Sequence, residues 1–200
     1  MINVAVLGYG TVGSGVVEVL ENNKEEITKK AGEELNVKYI LDLRDFPGDP
    51  YEDKVVHDYN VILNDPEVDI VVEVMGGINP AYGFVKSALE AGKSVVTSNK
   101  ELVAEKGDEL LKIAEKYGAS AVISLGGNIV LCGENEEKGE WTVGVKNPLE
   151  TDSLVCTFKH KGNVSVVTSG GYERTFQKDG KTYHHIIDTK TGEPAKSDLL

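Results

Sequence analysis

The stretch Val4-Ala-Val-Leu-Gly-Tyr-Gly-Thr-Val-Gly-Ser-Gly15 decides the fold. An apolar run without alternation, residues 2–7, stops at Gly8. Such a run suits a strand covered on both faces of a parallel sheet. Glycines follow at 8, 10 and 13, and a helical pattern opens behind them. It places Val12, Val16, Val19 and Leu20 on one stripe, in a helix expected to reach about residue 31. The order is strand, tight turn, helix N-terminus. This is the G-x-G-x-x-G arrangement that lets a backbone approach a pyrophosphate and offers it the amide end of a helix. A turn that only packs a helix on a strand would share the spacing. The flanking strand and helix favour the nucleotide. Gly8, Gly10, Thr11, Val12 and Gly13 are the cofactor-binding residues expected here.

Outward from this turn, strands and helices alternate. Residues 37–43 form a second apolar strand, and its end carries Asp42, Arg44 and Asp45. In a dinucleotide fold an acid here holds the ribose 2′-hydroxyl, whereas an arginine meets a 2′-phosphate. The presence of both leaves NAD and NADP open. Pro47, Gly48 and Pro50 mark a loop, and residues 60–63 suit a short helix. Residues 69–75 are a third buried-type strand, followed by Gly76-Gly77. Asn79-Pro80 reads as N-cap and first helical position of a helix that Gly92 stops. A fourth strand, 94–97, leads to Ser98 or Asn99 as the cap of a helix carrying Leu102, Val103, Leu110, Ile113 and Ala114, which ends at Gly118. The alternation predicts an α/β domain over residues 1–118, a Rossmann-type doubly wound parallel sheet. The turns at 8–13 and 76–77 and the Ser98-Asn99-Lys100 corner all fall at the carboxyl edge, where ligands bind. A lysine there can assist proton transfer as a hydroxyl is oxidised.

From residue 119 the periodicity changes to strands and turns, which predicts a second domain, 119–200: a mainly antiparallel, β-rich α+β fragment. Residues 172–178, Asp179-Gly180 and 181–188 carry a strong hairpin signal. With that turn Lys178 faces Lys181, Phe176 pairs Tyr183, Arg174 pairs His185 and Tyr172 pairs Ile187. His184 then points the other way, opposite Thr175, so the two adjacent histidines cannot chelate one metal. The acidic stretch 134–140 reads as a solvated loop, and no metal site is expected. The chain has 33 acidic and 21 basic residues, a net charge of −12, and no basic patch, which excludes nucleic acid as partner. Its hydrophobic content of 40% suffices for a core. Cys132 and Cys156 lie in apolar runs and are expected as buried thiols. Met1 leads straight into the first strand, with no long apolar segment, so no membrane and a cytoplasmic location are expected.

Gly8-Tyr-Gly-Thr-Val-Gly13, Glu73-Val-Met-Gly-Gly77 and Val96-Thr-Ser-Asn-Lys-Glu-Leu-Val-Ala104 together resemble the cofactor domain of homoserine dehydrogenases, over residues 1 to about 117. The resemblance implies a nicotinamide dinucleotide, NAD or NADP. It places Lys100 near the nicotinamide and the substrate hydroxyl, with Gly76, Gly77, Ser98 and Asn99 beside it. Such an enzyme passes hydride between C4 of homoserine and the cofactor. Its next motif, with Glu, glycines and Ile-Pro, finds only a faint echo in residues 119–129, and its substrate domain is not expected in this chain.

The second half resembles a different family, the FAD-dependent FMN transferases that attach FMN to protein threonine or serine. The matching stretches are Ser124-Leu-Gly-Gly-Asn-Ile129, Trp141-Thr-Val-Gly-Val-Lys-Asn-Pro148, Thr168-Ser-Gly-Gly-Tyr-Glu-Arg174, Tyr183-His-His-Ile-Ile-Asp188 and Thr191-Gly-Glu-Pro-Ala195. The resemblance implies flavin contacts from Gly126, Gly127 and Asn128 and from Ser169 and Gly170. It implies a catalytic role for His185, toward the acceptor hydroxyl or the phosphate. FAD and Mg are implied only if this half functions, since the family's metal site draws on an Asp and a Thr that would lie downstream of residue 200. Three readings follow: a homoserine dehydrogenase-like oxidoreductase half that binds its cofactor, an FMN transferase fragment, or a non-catalytic chimeric dinucleotide-binding protein. Strand edges left open in the second half would favour self-association.

Overall fold

β1 (Ile2–Leu7) is the centre of a five-stranded parallel sheet with helices on both faces. The computed structural model describes residues 1–124, 128–135, 139–150, 153–171 and 175–195. The chain divides into two compact units, Met1–Tyr117 and Gly118–Leu200. The first unit runs β1, α1 (Thr11–Asn22), α2 (Lys24–Ala31), β2 (Leu35–Leu41), β3 (Val55–Val56), α3 (Tyr59–Leu63), β4 (Ile70–Glu73), α4 (Ala81–Glu90), β5 (Ser94–Thr97) and α5 (Lys100–Lys116). The strand order is β3-β2-β1-β4-β5. From β1 the chain winds outward first one way and then the other, so the order reverses between β1 and β4. This is the Rossmann-type α/β fold expected.

β1 shows why its apolar run does not alternate. Val4 and Val6 pack with Val17, Val37 and Ile40 on one face, while Ala5 and Leu7 pack with Tyr59, Ile62, Val71 and Ala88 on the other. Both faces are covered, so both parities are apolar. Burying each such valine or leucine side chain stabilises the fold by about 1.5–3 kcal/mol.

Several elements differ from expectation, each for a physical reason. The first helix breaks at Asn23, whose side-chain and backbone nitrogens both donate to Val19 O, at 3.0 and 3.1 Å. An asparagine that captures its own helix carbonyls ends the turn. The apolar stripe is also rotated: Val12 and Val19 are exposed and Val17 is buried. Gly13 must seat against Gly8, and that contact turns residues 13, 16, 17 and 20 toward the sheet. β3, two residues long, is too short to leave a strand signal, yet it pairs with β2 through Ile40↔Val55 and Leu41↔Val56. Asn79-Pro80 is a cis peptide, and Pro80 rather than Asn79 precedes the first residue of α4. Its carbonyl already accepts from Phe84 N, at 3.2 Å.

The second unit has no helix among the described residues. An antiparallel sheet in the order β10-β7-β6 joins β6 (Ala121–Ser124), β7 (Asn128–Cys132) and β10 (Val164–Val167). β8 (Trp141–Lys146) pairs β9 (Leu154–His160), and β11 (Phe176–Lys178) pairs β12 (Lys181–Tyr183). Asp179 at φ 51° and Gly180 at φ 72° form the two-residue turn. Lys178 faces Lys181, and Phe176 faces Tyr183 with stacked rings 5.1 Å apart. The ladder stops at that pair, so Thr175 and His184 do not face each other in it. The pairs involving Arg174 and Tyr172 lie outside the described residues. Leu154, Val155, Val167, Phe176 and Ile187 are exposed. Contrary to expectation, Cys156 is exposed and Cys132 half-buried, because a two- or three-stranded ribbon leaves its outer positions uncovered. Past β12, Ile187 bridges Pro194, and Ala195 N donates to Ile186 O at 2.9 Å. No helix among the described residues is long and apolar enough to cross a membrane.

Candidate functional site

The three glycines of the opening turn do different work. Gly8 takes φ +99°, and a Cβ there would meet Met75 Cγ at 3.0 Å. A Cβ on Gly13 would stand 1.8 Å from Gly8 O, so only glycine lets α1 approach the turn this closely. Gly10 has nothing within 4 Å of its would-be Cβ. The space over Gly10 is what a diphosphate needs. Gly10 is also the N-cap of α1, with no side-chain cap and no acid in the first turn. The positive end of the helix dipole is therefore neither satisfied nor neutralised by a side chain. Thr11 and Val12, both exposed, complete that first turn. A cradle a Cβ would fill, beside an uncapped helix start, fits a dinucleotide.

At the end of β2, Asp42 is the hub of a polar corner. Its carboxylate accepts from Tyr9 N at 2.9 Å, Arg44 N at 3.0 Å, and Arg44 Nε and Nη2 at 2.9 Å each. The Arg44 guanidinium, reinforced by these backbone donors, holds the Asp42 carboxyl well below the usual range. Arg44 remains largely exposed and lies over the Phe46 ring, 5.0 Å from its centroid. His57, just past β3, sets Nδ1 2.7 Å from Asp42 O and Nε2 3.1 Å from Asp45 Oδ1. The Asp42 carbonyl and the Asp45 charge raise its pKa above the ordinary value. Tyr9 turns inward against Phe46, and burial and the Asp49 carboxylate push its phenol up to about 12.

Beyond the switch from β1 to β4 the chain makes a second glycine corner. Gly76 and Gly77 have open space where Cβ atoms would stand, and Gly77 takes φ +77°. Asn99 caps α5, its Oδ1 accepting from Leu102 N at 3.0 Å. Its Nδ2 donates to Gly77 O at 2.6 Å. Ser98 and Lys100 are exposed beside it. Gly8, Gly10, Gly13, Arg44, Gly76, Gly77, Ser98, Asn99 and Lys100 thus share one edge of one sheet. Sequence reasoning missed Glu73 and Thr97, which lie beneath this corner. The signal was present as a glutamate ending a buried apolar strand.

In the second unit, Gly126 and Gly127 lie outside the described residues. Asn128 is the first residue of β7 rather than part of a turn, and it pairs Val167. Ser169 and Gly170 therefore leave β10 at the end of the sheet where Asn128 begins. A Cβ on Gly171 would sit 3.2 Å from His184 Cδ2, so the His184 ring packs on that same turn. His184 Nδ1 is buried without a partner, whereas His185 is exposed. Among the described residues no cluster suited to a metal is found.

Comparison with known proteins finds two overlapping family matches. Residues 8–123 match the family model of the homoserine dehydrogenase NAD binding domain, and residues 92–200 match that of the ApbE family. The chain belongs to both families. Homoserine dehydrogenase from Lactococcus lactis is 40% identical over 122 residues, 58% of this chain and 28% of that protein. The enzyme from Methylobacillus glycogenes is 34% identical over 173 residues, 80% of this chain and 41% of that protein. The crystal structure of S. aureus homoserine dehydrogenase superposes with a TM-score of 0.55 at 40% identity, covering 59% of this chain and 30% of the other. The chain therefore spans about a quarter to two fifths of the length of these relatives. Its first half is a homoserine dehydrogenase-type dinucleotide-binding domain, and its second a flavin transferase-type fragment. Residues 92–123, which hold β5, α5 and the start of β6, are claimed by both family models.

Proposed function

We propose that the chain is a nicotinamide dinucleotide-binding protein whose ligand site is the carboxyl edge of the first unit, Met1–Tyr117. The observation that carries this is the turn at Gly8, Gly10 and Gly13. Gly13 closes to where a Cβ would lie 1.8 Å from Gly8 O, while Gly10 stays open above an uncapped helix start. The diphosphate sits on the amides of Thr11, Val12 and Gly13. The adenosine ribose meets Asp42 and Arg44, and the nicotinamide reaches Gly76, Gly77, Ser98 and Asn99. The bound cofactor supplies hydride chemistry. Lys100, exposed at the first position of α5, is the group placed to hold or release the proton of a substrate hydroxyl. In a homoserine dehydrogenase that hydroxyl belongs to homoserine. Here we propose cofactor binding as the function of these residues, since the second family match covers residues 92–200.

Arg44 argues for NADP over NAD. Its guanidinium is fixed on Asp42 yet exposed, and it occupies the carboxylate oxygens that a ribose 2′-hydroxyl would use. A second reading rests on the ApbE match and on the placement of Asn128, Ser169 and Gly170 at one end of the three-stranded sheet, where the His184 ring packs on Gly171. In it, residues 119–200 contact a flavin and His185 acts on the acceptor. Fluorescence titration with NADPH, NADH and FAD separates the readings. NADPH binding with no response to FAD is the expected result. Binding of FAD alone overturns the first reading in favour of the second.

A further inference from the structure

Glu73 is the only carboxylate among the described residues that is wholly removed from water, and no step above uses it. A buried acid that bonds to nothing functional is costly to keep. Its oxygens are both engaged. Oε1 accepts from Met75 N at 2.8 Å, at the entrance to the Gly76-Gly77 corner, and Oε2 accepts from the Thr97 hydroxyl. Because Thr97 Oγ1 itself accepts from Asn99 N at 3.0 Å, its proton must point to Glu73. Asn99 in turn bridges Gly77 O and the Leu102 amide. Ser98 N closes the ring onto the Glu73 carbonyl at 3.3 Å.

From this we infer that Glu73 is the positioning residue of the nicotinamide end: through Thr97 and Asn99 it locks the glycine corner 76–77 to the start of α5, and so fixes where Lys100 and the nicotinamide meet. The inference rests on the cofactor reading above. Every member of the relay is a hydrogen-bonded partner of the next, and the relay joins the ends of β4 and β5, which run parallel with Glu73 opposite Thr97. The turn at residues 8–13 holds the other end of the ligand: Gly8 comes up against Met75, whereas Gly10, at the start of α1, has nothing within 4 Å of its would-be Cβ.

The two ends of the ligand supply the test. ADP-ribose, with or without a 2′-phosphate, engages the residue 8–13 turn and the Asp42 corner but carries no nicotinamide. Thr97→Val removes the central hydroxyl at nearly constant volume, Glu73→Gln removes the charge, and Thr97→Ser keeps the hydroxyl. Each full-length variant and the wild type are titrated with NADPH and with the ADP-ribose ligand. Thr97→Val and Glu73→Gln are expected to raise the NADPH Kd about tenfold and to abolish the bound-state shift of nicotinamide emission. The ADP-ribose Kd should stay within about twofold and Thr97→Ser should restore NADPH binding. Equal losses for both ligands, or none for either in Thr97→Val, overturn the inference; should Glu73→Gln fail to fold, the Thr97 pair decides. A wild type that binds neither ligand removes the cofactor reading and this inference with it. A wild type that binds both, with variants unaltered, removes the inference alone.

Discussion

Two glycines of one motif make opposite predictions. Gly13→Ala forces a methyl into the Gly8 carbonyl, and the helix must move. Its cost is expected at about 1–3 kcal/mol in urea unfolding, together with loss of NADPH binding. Gly10 sits at φ −87° with open space around it, so Gly10→Ala should alter stability by no more than about 0.5 kcal/mol. The added methyl nonetheless stands where the diphosphate would lie, and NADPH affinity should fall. Equal melting of Gly10→Ala and wild type, with unequal titrations, is the outcome expected. At the other corner, Arg44→Ala should weaken NADPH more than NADH, measured as the ratio of the two Kd values. His57 adds a pH dependence. Its folded pKa is raised, so its stabilisation is complete below the ordinary histidine range and is lost as pH rises through the folded value. The group is half exposed, so the effect is small. Urea midpoints measured at about pH 5.5 and about pH 8 should differ less in His57→Gln than in wild type.

At the scale of elements, α5 is capped at its start by the Asn99 side chain. Asn99→Ala removes both the cap on Leu102 N and the bond to Gly77 O. A loss of about 1–2 kcal/mol is expected, read from thermal or urea unfolding. The existence of this helix, of β1 and of β4 was legible because each carries its own period and its own punctuation. What could not be read depends on contacts between distant residues. The rotation of α1 follows from Gly13 meeting Gly8, a tertiary contact that outranks the local stripe of valines. β3 is strand only because Ile40 and Leu41 offer it partners. The engagement of Glu73 depends on Thr97, which stands opposite it on the neighbouring strand. In the second half the hairpin was legible from Asp179-Gly180, which fixes a register by itself. The packing of the His184 ring on Gly171 had no local signal.

Over the whole molecule the two units are unequal. Among the described residues, Leu131 and Val143 are the buried hydrophobics beyond residue 117; the rest of that core lies before it. Unfolding should proceed in two steps, the second unit first, with tryptophan fluorescence of Trp141 changing at a lower urea concentration than the bulk of the helical circular dichroism. Coincident transitions would contradict this. The open ribbon edges and the exposed Leu154, Val155 and Phe176 predict concentration-dependent association in sedimentation velocity. The same surface has a further consequence inside a cell. Short extended segments with outward leucine, valine and phenylalanine are what chaperones hold and what quality-control proteases engage. The abundance of this polypeptide would then be set by how quickly it is degraded, and occupation of the first unit by its nucleotide would leave that clock largely untouched.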